Sequence, residues 1–183
     1  MTMASYVTWP SCSAQAVRSR RLHYRIISKC CLAVLLLSVS PAAQAAWCTI
    51  SLVAPVNFGI YAPLSRTRAD TTGTVTVRCR AAPSLGETVG YTLSLSSGGS
   101  GNPSDRKLSN GTSTLSQQLY IDAARSQVWG DGSSGTSVIT QPAFYIAPAS
   151  SVAHTHTIYA RIPGHQGVRP GTYTDNVIVI LTY

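Results

Sequence analysis

From residue 47 onward the chain alternates apolar and polar side chains over short runs broken by Gly, Pro, Asn and Ser, the period-two pattern of half-buried strands. Residues 49–53 alternate, and residues 56–61 continue as extended chain after Pro55. Residues 63–70 read as a loop. The run 74–79 puts Val75, Val77 and Cys79 on one face, so that face carries a sulfur inward. Residues 81–87 turn the chain, and Tyr91, Leu93 and Leu95 share one side of the next strand. Residues 96–105 are too rich in Ser and Gly to be core. A short extended piece at 106–108 precedes Asn110-Gly111, a hairpin signal. Residues 115–122 form a strand with Leu119 and Ile121 on one face, and Trp129-Gly130-Asp131-Gly132 opens a second Ser/Gly loop. Residues 138–146 and 154–162 complete the series. Helical spacing of apolar residues is absent after Cys48, so the pattern predicts an all-β domain, a sandwich.

The last thirteen residues break the alternation. After the turn signal Arg169-Pro170-Gly171, apolar Val177, Val179 and Leu181 interleave with apolar Ile178 and Ile180, and the sequence reaches Tyr183 still in strand pattern. A half-exposed edge strand carries polar residues at every second position. This strand therefore expects cover on both faces and neighbours on both edges.

Composition matters once the first 45 residues are set apart. Arg18, Arg20, Arg21, Arg25 and Lys29 precede an apolar run at 30–39, and Ala43-Gln44-Ala45 is a small-x-small cleavage site. That order reads as a cleaved export signal over 1–45. Ten apolar residues fall short of the ~20 that span a bilayer as a helix, so no membrane span is expected after cleavage. The pair Arg20-Arg21 lacks the apolar continuation of a twin-arginine signal. The remaining 46–183 suit one domain. The whole chain has a net charge of +8, but residues 46–183 hold nine basic and six acidic side chains, a net of +3. The basic residues are scattered, which argues against nucleic acid as a partner. Of five cysteines, only Cys48 and Cys79 lie beyond residue 45. In an exported chain two cysteines predict one disulfide, the rival reading being two free thiols.

Catalytic chemistry finds little support. His154 and His156 fall on one strand face, a geometry a metal could use, yet no carboxylate or cysteine lies within ten residues; a solvated strand face is the plainer account. No Gly-x-Ser-x-Gly elbow occurs, and Gly98-Gly99-Ser100-Gly101 lacks the Gly-Lys-Ser/Thr ending of a phosphate loop. No enzyme activity and no cofactor are expected. Trp129 reads as a buried anchor capped by a Gly-rich turn. Arg106 and Arg161 suggest ion pairs with a strand-end Asp, more than contacts to an acidic ligand.

Several segments taken in order resemble the spore coat protein U family, the pilin-like domain of archaic chaperone–usher pili of the Csu type. They are Cys48; Val56-Asn57-Phe58-Gly59-Ile60-Tyr61; Thr72-Gly73-Thr74-Val75-Thr76-Val77-Arg78-Cys79; Tyr91-Thr92-Leu93-Ser94-Leu95-Ser96-Ser97-Gly98; Arg106; Leu119-Tyr120-Ile121-Asp122; Val128-Trp129-Gly130-Asp131-Gly132; Tyr159-Ala160-Arg161-Ile162-Pro163; Gln166; and Gly171-Thr172-Tyr173-Thr174-Asp175. Gln117 and Gln118 depart from the family pattern. Phe58, Gly59, Tyr61, Trp129, Gly130, Asp131 and Gly132 are the structural motif residues of the resemblance.

The resemblance implies an incomplete immunoglobulin-like β-sandwich whose last strand is supplied in trans, with the two cysteines bridged. It implies export through the periplasm of a Gram-negative bacterium to a surface fimbrium. The implied partners are a periplasmic pilus chaperone, an outer-membrane usher and other pilin subunits, and the implied role is in adhesion and biofilm formation. Val177, Ile178, Val179, Ile180, Leu181 and Tyr183 would wall the groove that takes the donated strand. Cleavage after Ala45 leaves only Ala46 and Trp47 ahead of Cys48, too few to donate a strand of ~5–6 residues, so a tip or terminal subunit is expected. A stand-alone surface- or carbohydrate-binding module is the alternative.

Overall fold

The computed structural model describes residues 46–183. The export signal and its boundary at residue 45 lie outside the described residues.

Eight strands follow one another: β1 Trp47–Ala54, β2 Ala69–Arg80, β3 Glu87–Leu95, β4 Arg106–Ser109, β5 Thr114–Tyr120, β6 Ile139–Ile146, β7 Ser151–Ile162 and β8 Val179–Thr182. A single 3₁₀ turn at Gly98–Ser100 interrupts the β3–β4 loop. The strands form two antiparallel sheets, one in the order β1-β2-β7-β5-β4 and the other in the order β6-β3-β8. The all-β sandwich expected from the alternation is the observed fold.

Alternation dictates which side chains meet between the sheets. Val75, Val77 and Cys79 of β2 face Tyr91, Leu93 and Leu95 of β3, and all six are buried. Burying a Val or Leu side chain contributes about 1.5–3 kcal/mol, so this double row is the main apolar drive of the fold. Cys48 stands directly opposite Cys79 in the β1–β2 ladder, and the two sulfurs are bonded. The expected disulfide is present.

The crossing segment between β5 and β6 ties the sheets together at Trp129. Trp129 N–H donates to Leu119 O at 2.9 Å, its Nε1–H donates to Leu93 O at 3.1 Å, and Leu95 N–H donates to Gly130 O at 2.9 Å. The indole is fully buried, as an anchor should be. Asp131 Oδ1 accepts from Ser133 N–H at 2.9 Å, which turns the chain, and Gly132 takes φ +87°. Gly130 lies against Thr136 so closely that any Cβ would collide with it. The Gly-rich turn is thus a steric requirement of the anchor.

Phe58 packs half-buried on the core, and Gly59 takes φ +66° where Asn57 Oδ1 accepts its N–H at 2.9 Å. Tyr61 Oη–H donates to Pro163 O at 2.8 Å, and Gln166 N–H donates to the same phenol oxygen at 3.2 Å. Gln166 also bonds both main-chain groups of Ser116. These motif residues fasten the β1–β2 loop to the far end of β7.

Four expectations are corrected. The stretch 63–70 is a loop only as far as residue 68, because Ala69 and Asp70 already pair with Ile162 and Arg161. Arg106 makes no ion pair; it is fully buried among carbonyl groups. Arg161 does pair, bidentately, with Asp70 at 2.7 and 2.9 Å. His154 and His156 are not on a solvated face. They stand opposite Val77 and Val75, so they point inward, and there they pack against Tyr91 and Phe144. The final stretch is strand only over Val179–Thr182, preceded by a single bridge between Thr174 and Ser109.

Candidate strand-docking groove

β1 and β8 are edge strands of different sheets, and they lie against each other at one side of the sandwich. The neighbours that the apolar C-terminal strand requires are not both supplied. β3 pairs with one edge of β8 through Leu93↔Leu181 and Leu95↔Val179, and no strand among the described residues pairs with the other.

Register decides which β8 residues face the interior. Val179 and Leu181 stand opposite Leu95 and Leu93, so they point between the sheets with Val177, while Ile178 and Ile180 point outward. Leu93 and Leu95 are 0% and 1% exposed, yet inward Val177, Val179 and Leu181 are only half-buried. Ile178 is 65% exposed, and Ile180 and Tyr183 are also open to solvent. The wall of the sandwich is unfinished here.

The facing wall repeats the deficit. A bulge between Ile50 and Leu52 shifts the β1–β2 register, so Ile50 opposes Val77 while Val53, not Leu52, opposes Val75. The simple alternation over 49–53 would put Leu52 inside; the extra residue, Ser51, reverses that. Val53 therefore faces inward beside a fully buried Val75 and is still 47% exposed. Two rows of inward apolar side chains, Ile50 and Val53 on β1 and Val177, Val179 and Leu181 on β8, border one opening.

Main-chain chemistry points to what would fill it. Ser96 N–H donates to Ile178 O at 2.9 Å, and Ile178 N–H donates to Ser96 Oγ at 2.8 Å. In an antiparallel ladder alternate residues turn their polar groups to the same neighbour. Ile178, Ile180 and Thr182 thus bond β3, and the N–H and C=O groups of Val177, Val179 and Leu181 project from the open edge. The residues that offer free main-chain groups are the same ones whose side chains are half-covered. An extended chain laid beside β8 would satisfy both.

A buried arginine holds this edge in place. Arg106 donates Nε–H and Nη2–H to Ser96 O at 3.3 and 2.7 Å, and Nη1–H to Pro103 O, Trp129 O and Gln118 Oε1 at 2.9, 2.8 and 3.0 Å. Burial draws its pKa down, and the charges of Asp175 and Asp131 oppose that shift. Asp175 Oδ1 accepts from Gly99 N–H at 2.8 Å, fixing the approach to β8. Ser96 is thus gripped by Arg106 on one side and by Ile178 on the other. Ser96 falls within a segment of the family resemblance, but its two grips could not be read from a serine in a Ser/Gly loop.

No set of three or more metal-ligating side chains occurs among the described residues. His156 Nε2 is instead hydrogen-bonded to Tyr91 Oη at 2.8 Å.

Residues 33–180 match the model of the Spore Coat Protein U domain family. The chain is 30% identical over 135 residues to "Protein U" of Myxococcus xanthus, covering 70% of this chain and 71% of that protein. Its fold is similar to that of a chain in the crystal structure of the CsuC-CsuE chaperone-tip adhesion subunit pre-assembly complex from archaic chaperone-usher Csu pili of Acinetobacter baumannii. That similarity has a TM-score of 0.50 at 21% identity, covers 75% of this chain and spans 40% of the solved chain, and it speaks to fold alone. With a matching family model over most of its length, this chain belongs to the Spore Coat Protein U domain family.

Proposed function

We propose that this protein is an exported structural subunit of a chaperone–usher type surface pilus, and that it accepts a strand from another chain in the groove between β1 and β8. The observation that carries the reading is the unfinished interior: Val53, Val177, Val179 and Leu181 face inward beside fully buried neighbours yet stay partly exposed. Adding a strand to an open edge gives affinity through main-chain bonds and specificity through alternate side chains. A periplasmic chaperone fills the groove first, an outer-membrane usher receives the complex, and a neighbouring subunit replaces the chaperone. The protein is exported over 46–183, bridges Cys48 to Cys79, and acts as a scaffold with no catalytic role. Loops 96–105 and 130–140 are the proposed surfaces for adhesion and biofilm formation.

The deciding experiment is co-purification with the cognate chaperone from periplasmic extracts. Val179→Asp puts a carboxylate into the groove and should abolish capture, whereas Ile180→Asp, one residue away but outward, should retain most of it. Equal capture of both variants would sink the groove assignment.

We further propose a terminal position in the fibre. β1 already uses Trp47 in pairing with Arg80, so a donor segment would have to precede it, and cleavage after Ala45 leaves too little chain. Mass spectrometry of the mature N-terminus tests this, and a start before residue 36 would overturn it.

A further inference from the structure

The outer face of the five-stranded sheet carries a cluster of charge that the fold leaves unbalanced. Asp70 stands opposite Arg161 and Thr72 opposite Tyr159 across β2 and β7, and Tyr120 of β5 stands opposite Tyr159. Gly73, Leu119 and Ala160 of the same three strands are buried, so alternation turns Asp70, Tyr120, Tyr159 and Arg161 together to the outside. The groove opens between the sheets, whereas these side chains stand on the far surface of one of them.

Three guanidinium groups share one carboxylate here, an excess of two positive charges. Arg161 donates Nε–H and Nη2–H to the Asp70 oxygens at 2.7 and 2.9 Å, and the Nε atoms of Arg68 and Arg125 lie 3.5 and 3.6 Å from them. Arg125 also donates Nε–H to Ala160 O and Nη1–H to Ala123 O at 3.3 and 3.2 Å. Nη2 of Arg125, Nη1 of Arg161 and both terminal nitrogens of Arg68 have no partner among the described residues. The side chains of Arg125 and Arg161 are 13% and 21% exposed, too enclosed for solvent to screen the excess fully. Asp122, in the same turn as Arg125, offers no balance, because its carboxylate accepts from Ser126 and Gln127. The backbone is bent to put Arg125 over the sheet: its φ is +57°, in the left-handed region that glycine and asparagine fill more readily. Strain of this kind collects where a side chain is held for a ligand. The Arg125 guanidinium lies 5.8 Å from the centre of the Tyr159 ring. The hydroxyls of Tyr120 and Tyr159 have no intramolecular partner among the described residues.

We infer that Arg68, Arg125 and Arg161 form a binding site for a phosphate group, with Tyr120 and Tyr159 as flanking hydroxyl donors. Guanidinium forks match phosphate oxygens in pairs. A phosphate monoester carries about −1.5 to −2 at neutral pH, which suits an excess of two positive charges, whereas a carboxylate would cancel half of it. Asp70 then holds the Arg161 fork in place while its neighbours keep hydrogens to spare. A strand docked between β1 and β8 leaves this outer face uncovered, so the inference stands apart from the pilus reading.

The test is a titration of the protein, purified as exported, with inorganic phosphate, glucose 6-phosphate and glucose at constant ionic strength in chloride, followed by amide chemical shifts. Saturable shifts around Arg68, Arg125 and Arg161 are expected with the two phosphates and not with glucose. Arg125→Asn, which keeps a residue suited to positive φ, should weaken binding about tenfold. Arg68→Gln, at the exposed end of the cluster, should weaken it about threefold. Asp70→Asn, which releases the Arg161 fork, should tighten it, an effect that an ion-pair network with no ligand would not produce. The ligand-free amide spectrum of each variant checks the fold. Tighter binding of glucose 6-phosphate than of inorganic phosphate assigns the site to a phosphate ester on a larger molecule, and the reverse order assigns it to the free ion. The inference is overturned by no saturable shift with either phosphate, by an equal response to glucose, by affinity unchanged in both arginine variants, or by weaker binding in a folded Asp70→Asn variant.

Discussion

Tyr91 Oη and His156 Nε2 meet at 2.8 Å between the sheets, with Phe144 edge-on to both Tyr91 and His154. Burial pushes the Tyr91 phenol up to about 12, and burial, with the nearby His154, pushes His156 below its ordinary value. The unfolded chain then binds a proton at His156 first, so stability is lost as pH falls below the unfolded value of ~6.5. Asp70 behaves differently. Its hydrogen bond from Arg161 lowers its pKa, with Arg125 and Arg68 adding to the effect against desolvation. Its contribution is present above the unfolded value of ~3.9 and disappears only as pH falls through the lowered one. Urea midpoints measured from neutral to acid pH should therefore decline in two windows, and His156→Gln should flatten the first and leave the second. Little of this cluster was legible beforehand. The i, i+2 spacing of His154 and His156 showed that they share a face, but a period-two pattern alone does not say which face is inside. Arg106 was equally opaque, since four of its five hydrogen bonds go to oxygens ten or more residues away and leave no mark near it in the sequence.

Elements were easier to read than contacts. A run in the sequence marks each of the eight strands, most closely where one face is buried and alternation is its direct consequence, although β2 and β3 begin at Ala69 and Glu87, several residues before their runs. β1 was misread in phase: the register change at Ser51 inserts a residue that no local preference announces. The disulfide belongs to this scale too. It fastens edge strand β1 to β2 at Cys48↔Cys79, and β1 has no neighbour on its other side. Closing a loop of sequence separation 31 contributes about 3–4 kcal/mol on the chain-entropy model. A Cys48→Ser, Cys79→Ser variant should lose about that much unfolding free energy in urea titrations, and hydrogen exchange should show β1 opening well before β2. Loss of capture by the chaperone in the same variant would follow if β1 is a wall of the groove.

For the molecule as a whole, an interior left open on one side makes stability a property of the occupied state. A ligand that binds only the folded form adds RT ln(1 + [L]/Kd), about 2.7 kcal/mol at one hundred times Kd. A synthetic peptide with apolar residues at alternate positions should raise the melting temperature in proportion to the logarithm of its concentration. A scrambled peptide of the same composition should not. The doubly apolar run at 177–181 announced this open side in the sequence, whereas its facing wall on β1 is visible only in the folded chain.

The irregularity at Ser51 bears on how an open edge avoids pairing with its own kind. A flat, regular sheet edge is a template for another copy of itself, and copies paired through such edges stack into insoluble ribbons. By twisting the strand and reversing the phase of its side chains midway, the bulge spoils β1 as a match for a second β1. Removal of that single residue would straighten the border and make it a better match for a second copy, which should raise the protein's tendency to aggregate.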